Sequence, residues 1–117
     1  MKDNPLVTLS KKFAVDIIEF CSSANNSKYY VMYNQILKSG TSIGANIHEA
    51  NYAASKADFV NKFQIALKEC YETDYWLSLF HDANIIEESV YDDLFSQCSK
   101  IRRLLISSIN TSKQSAL

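Results

Sequence analysis

A chain of 117 residues, 47% of them hydrophobic, has material for one real core and too little for two. One proline and two glycines cannot punctuate a many-stranded sheet, so the composition selects helices. A formal charge of -1 provides no global pull toward nucleic acid, although it leaves room for a local basic patch.

The N-terminal stretch lacks the apolar region of a signal peptide, and no apolar run is long enough for a transmembrane span, so a cytoplasmic protein is expected. Cys21, Cys70 and Cys98 fall on three different predicted helices with no C-x-x-C spacing, which reads as reduced, buried thiols.

Asn4 before Pro5 is a helix start, because asparagine caps free amides and proline is tolerated in the first turn. Leu6, Leu9, Phe13, Ile17 and Phe20 recur at three- and four-residue spacing, predicting a helix over 5–23. A polar loop over 22–27 follows. A second helix is predicted over 29–54, with Met32, Ile36, Gly40, Ile43, Ile47, Ala50 and Ala54 at heptad spacing.

Ser55 with Asp58 three residues on is a variant capping box that opens a third helix over 56–83. Its inner stripe is Phe59, Phe63, Ala66, Cys70, Leu77 and Phe80. Ile65, Trp76 and Leu79 lie about 100° or more away, flanked by Glu69 and Glu72, and two apolar faces on one helix imply two partners. Asn84 reads as a stop. The fourth helix, over 87–110, runs from acidic Glu87, Glu88, Asp92 and Asp93 to basic Lys100, Arg102, Arg103 and Lys113, the order a helix dipole favours. Val90, Leu94, Cys98, Ile101, Leu105 and Ile109 are its core face, and 111–117 is expected to fray. Short connections then make an all-α, antiparallel up-down-up-down four-helix bundle of one domain, 1–117.

The stretch SGTSIGANIHEAN carries both glycines inside the second helix. Each costs a helix interior about 0.5–1 kcal/mol relative to alanine, so close packing must offset it. Phe59, Phe63 or Phe80 of the third helix is the expected filler at Gly40 and Gly44. Beside them Gln35, Ser39, Ser42, Asn46 and Glu49 form a polar row. Such a row sets register by hydrogen-bonding between helices or across a subunit boundary. Adjacent His48 and Glu49 point about 100° apart, poor geometry for a catalytic dyad.

The chain resembles the bacterial four-helix bundle family first noted as products of rRNA intervening sequences. The resemblance rests on Gln35-Ile36, on Ser42-Ile43-Gly44-Ala45-Asn46-Ile47-His48-Glu49-Ala50, on Phe59-x-x-Lys62-Phe63-x-x-Ala66-Leu67 and on the Glu69/Glu72 region. It implies a bundle whose members assemble as rings of five, without established enzymatic activity. The family name records where some of its genes lie and is not evidence of ribosome binding. A more distant relative, the accessory protein of diversity-generating retroelements, is similar in fold and binds nucleic acid through a basic surface, which the balanced charge here does not match. Ala50 stands where many members have glycine, which implies a slightly longer second helix.

No Glu-x-x-His pair, phosphate loop, dinucleotide fingerprint or nucleophile elbow occurs, so no catalytic residue, metal or cofactor is expected. Glu69 and Glu72 share a flank, but a polar rim around an apolar contact explains them. The leading expectation is a non-enzymatic homo-oligomer, pentameric by resemblance, whose contact face is Ile65, Glu69, Glu72, Trp76 and Leu79. The alternative is a nucleic-acid-binding accessory protein using Lys100, Arg102 and Arg103, with Lys28 and Lys38 near Tyr29, Tyr30 and Tyr33.

Overall fold

The computed structural model describes residues 4–22 and 28–114. Four helices fill it: α1 (Pro5–Ser22), α2 (Tyr30–Ala50), α3 (Lys56–Asp82) and α4 (Glu88–Gln114). Each packs on two neighbours around a ring, α1 on α2, α2 on α3, α3 on α4 and α4 on α1, which makes a four-helix bundle 50 × 21 × 20 Å. Residue pairs give the antiparallel register directly. Along α1 and α2, Ile17 meets Gly40 and Ser10 meets Gly44. Along α2 and α3, Thr73 meets Ser39 and Lys62 meets Glu49, so position rises on one helix as it falls on the other.

Caps set the ends. Asn4 Oδ1 accepts from Leu6 N at 2.8 Å, and Ser55 Oγ accepts from Asp58 N at 3.1 Å. α3 closes in a Schellman turn: Asn84 takes φ 59°, Asn84 N donates to His81 O, and Ile85 N reaches back to Phe80 O at 3.0 Å.

Two expected ends are corrected. The second helix stops at Ala50 rather than near residue 54. Asn51, Tyr52 and Ala53 instead close short three-residue turns, while Asp58 Oδ2 accepts from Ala54 N and Ser55 stays extended at φ -155°. The next helix's cap thus takes over the chain. The fourth helix runs to Gln114 rather than 110, since nothing over 111–114 breaks it and Ile109 is docked in the core. Within the expected polar loop Ser22 is helical; Ser23 to Ser27, and the tail beyond Gln114, lie outside the described residues.

Phe13, Ile17, Ile36, Ile43, Ile47, Phe63, Phe80, Leu77 and Leu105 form the middle of the core, all inaccessible to solvent. The expected filler at the glycines is also corrected: the close neighbours come from α1, not from the phenylalanines of α3. A Cβ built on Gly40 would lie 3.0 Å from Ile17 Cγ1, and one on Gly44 would lie 3.3 Å from the Ser10 carbonyl oxygen. Glycine lets α1 and α2 approach there, and dispersion and burial of Ile17 offset its low helix propensity.

Candidate functional site

The polar row of α2 divides into inner and outer members. Ser39 is buried, its hydroxyl 2.9 Å from that of Thr73 on α3, and Thr73 Oγ1 lies 2.8 Å from the Glu69 carbonyl oxygen. That pair is a hydrogen-bonded bridge inside the core. Asn46, half-buried, donates back to the Ser42 carbonyl of its own helix at 2.9 Å, and exposed Glu49 accepts from Lys62 at 2.9 Å. Gln35 and Ser42 are half-buried. The row therefore ties α2 to α3 at two levels, Ser39 and Glu49, and gathers no catalytic cluster.

The proposed contact face of α3 is also layered. Ile65, Glu69, Trp76 and Leu79 are half-buried and Glu72 is exposed. Trp76 rests on the core margin, donates Nε1–H to Glu72 Oε2 at 3.2 Å and meets the Tyr75 ring edge-on. Burial, then the charge of Glu72, push the Glu69 carboxyl above its ordinary range, against the pull of Lys38 and Lys68.

The most exposed large side chains of α3 lie one position over: Tyr71 and Tyr75 are 53% and 57% exposed. Phe95 and Ile106 of α4 are exposed as well. Residue spacing in the sequence picks Ile65, Trp76 and Leu79 for the contact face and does not single out these tyrosines. The readable signal was their place between the two apolar stripes of α3, surrounded by Glu72 and Asp74.

Between them sits an ion pair. Arg102 on α4 donates to Asp74 Oδ2 on α3 and lays its guanidinium 5.7 Å from the Tyr71 ring centre. Burial pushes the Asp74 carboxyl up and Arg102 pulls it partly back. Of the expected nucleic-acid contacts, Arg102 is therefore engaged within the bundle, while Lys100 and Arg103 are exposed. The Cys70 and Cys98 thiols are buried between α3 and α4, with Cys98 Sγ 3.6 Å from the Cys70 carbonyl oxygen; burial also raises Cys21 to about 11, which keeps it protonated. Among the described residues, no group of three His, Cys, Asp or Glu is placed to hold a metal, and no helix is long and apolar enough to cross a membrane.

The family model for the 23S rRNA-intervening sequence protein matches residues 2–107. The chain belongs to that family. A crystal structure of a protein of unknown function from the S23 ribosomal protein family of Bacteroides thetaiotaomicron is similar over 94% of this chain and 99% of its own, at 48% identity and a TM-score of 0.88. No curated protein matches. Family membership thus fixes the bundle and its lineage.

Proposed function

We propose that this member of the family is a non-enzymatic, cytoplasmic scaffold that assembles with copies of itself, in the rings of five that the family resemblance implies. The observation that carries the reading is the outer side of α3, where exposed Tyr71 and Tyr75 adjoin half-buried Trp76, Ile65 and Leu79. Tyrosine and tryptophan edged by carboxylates have the composition of a protein interface, an apolar centre with a polar rim. A patch of this kind on a small bundle is an interaction site before it is anything else. Light scattering on the purified chain tests it. Tyr71→Glu with Tyr75→Glu should reduce the subunit number while leaving the helical circular dichroism intact, and Trp76→Glu should do the same with some loss of stability. An unchanged mass in both variants contradicts the assigned face.

A second reading, an RNA-binding accessory protein, is supported by exposed Lys100 and Arg103 together with Lys28, whose ammonium lies 5.3 Å from the Tyr29 ring centre. It requires affinity for single-stranded RNA that falls steeply with salt and drops in Lys100→Ala with Arg103→Ala. No binding at low salt removes it.

A further inference from the structure

We propose that the cavity at the end of the α1–α4 seam binds a small organic cation, an ammonium or guanidinium carried on an aromatic or aliphatic body. The cavity holds about 570 Å³, within the range small ligands occupy. Its walls come from α1, α2, the α3–α4 turn and α4, rather than from a two-helix trough that would suit a docked helix. Phe20, Tyr33 and Val90 contribute apolar surface, and Ile85 and Ile86, thrown across the bundle end by the left-handed Asn84, close one side.

Around this surface stand four carboxylates, Asp16, Glu19, Glu87 and Asp93, and the described lining residues include no Lys, Arg or His. The carboxylates are not merely adjacent in sequence: they arrive from α1, the turn and α4. Gln97 holds two of them together, its amide donating to Asp16 Oδ2 at 2.8 Å and to Asp93 Oδ2 at 3.0 Å. Lys12, outside the cavity, pairs with Asp16 at 2.7 Å and, with Gln97, keeps that carboxyl ionised below its ordinary range. One external cation against four carboxylates leaves the cavity negative. An anion would be repelled there, and a neutral apolar ligand would desolvate carboxylates without replacing their water. A cation on an apolar body satisfies floor and rim together.

The test is an amide NMR titration of the full chain with phenethylamine, beside its neutral counterpart 2-phenylethanol and the blocked dipeptide N-acetyl-Phe-Lys-amide. Phenethylamine should move the Tyr33, Ile86 and Val90 amides saturably with a dissociation constant of about a millimolar. Glu19→Gln and Glu87→Gln should each weaken it about twofold to fivefold, and high salt should weaken it further. Ser89→Trp, from an exposed position on the lining, should abolish the shifts. If that variant loses helicity, the two exposed glutamate variants carry the test. Equal affinity for 2-phenylethanol, shifts indifferent to the carboxylate variants, or saturable binding of the dipeptide alone would each overturn the proposal.

Discussion

Helix α1 is packed in two different ways. Toward α2 it meets a helix stripped of two side chains, and Ile17 and the Ser10 carbonyl occupy the space where Cβ atoms of residues 40 and 44 would stand. Toward α4 the packing is sparser and its polar link is Asp16 to Gln97; cavities of about 570 and 220 Å³ open along this seam, beside about 410 and 250 Å³ along the α1–α2 seam. The difference teaches where to look for function. The conspicuous glycine stretch belongs to the closely approached seam and bears on stability, whereas the carboxylate-lined cavity lies on the sparser one.

The contrast can be broken first at its tightest point. Ile17→Ala should cost about 2–5 kcal/mol in denaturant unfolding, because a wholly buried side chain is removed from between two close helices. Next, Arg102→Ala should cost about 1–3 kcal/mol by the same measurement, since the half-buried Asp74 loses its partner while Oδ1 is already without one. Gly40→Ala should then cost about 1 kcal/mol, overpacking against Ile17 exceeding the gain in helix propensity. Combined with Ile17→Ala the same substitution should become stabilising, and additive energies in that cycle would show that the seam is not close-packed.

The smallest effect compares two carboxylates packed against α4. The Lys12 hydrogen bond, with Gln97, depresses the Asp16 carboxyl, so its stabilising contribution is present above about pH 4 and is lost as pH falls through its lower folded value. Burial raises Asp74, so between the unfolded value and the raised folded one the folded state binds more proton there than the unfolded chain does. Its contribution therefore improves as pH falls through the folded value toward about pH 4. Thermal unfolding across the acid range should consequently show a shallower loss in Asp16→Asn and a steeper one in Asp74→Asn.

Much of the bundle is legible in the sequence for identifiable reasons. Asn4, the Ser55–Asp58 pair and Asn84 are local signals, and each caps or stops a helix with its own atoms. The end of α2 was not legible, because Ala54 continues the heptad stripe and only the competition from Asp58 for its amide ends the helix. Periodicity told which face Gly40 and Gly44 occupy but not which neighbour fills it, since α1 and α3 both flank α2. Thr73, the buried partner of Ser39, was passed over although it sits between Cys70 and Leu77 at core spacing. The carboxylate-lined cavity has no sequence signature at all: Asp16 and Glu87 line one cavity only because the later part of α1 and the start of α4 lie at the same end of the bundle.

Native mass spectrometry of the protein purified from its own cells tests the central claim, self-assembly through the outer side of α3, most directly. The account predicts a clean multiple of the chain mass, five for a ring, that falls in the Tyr71→Glu, Tyr75→Glu variant. A monomer, or an assembly whose extra mass is RNA, would contradict it.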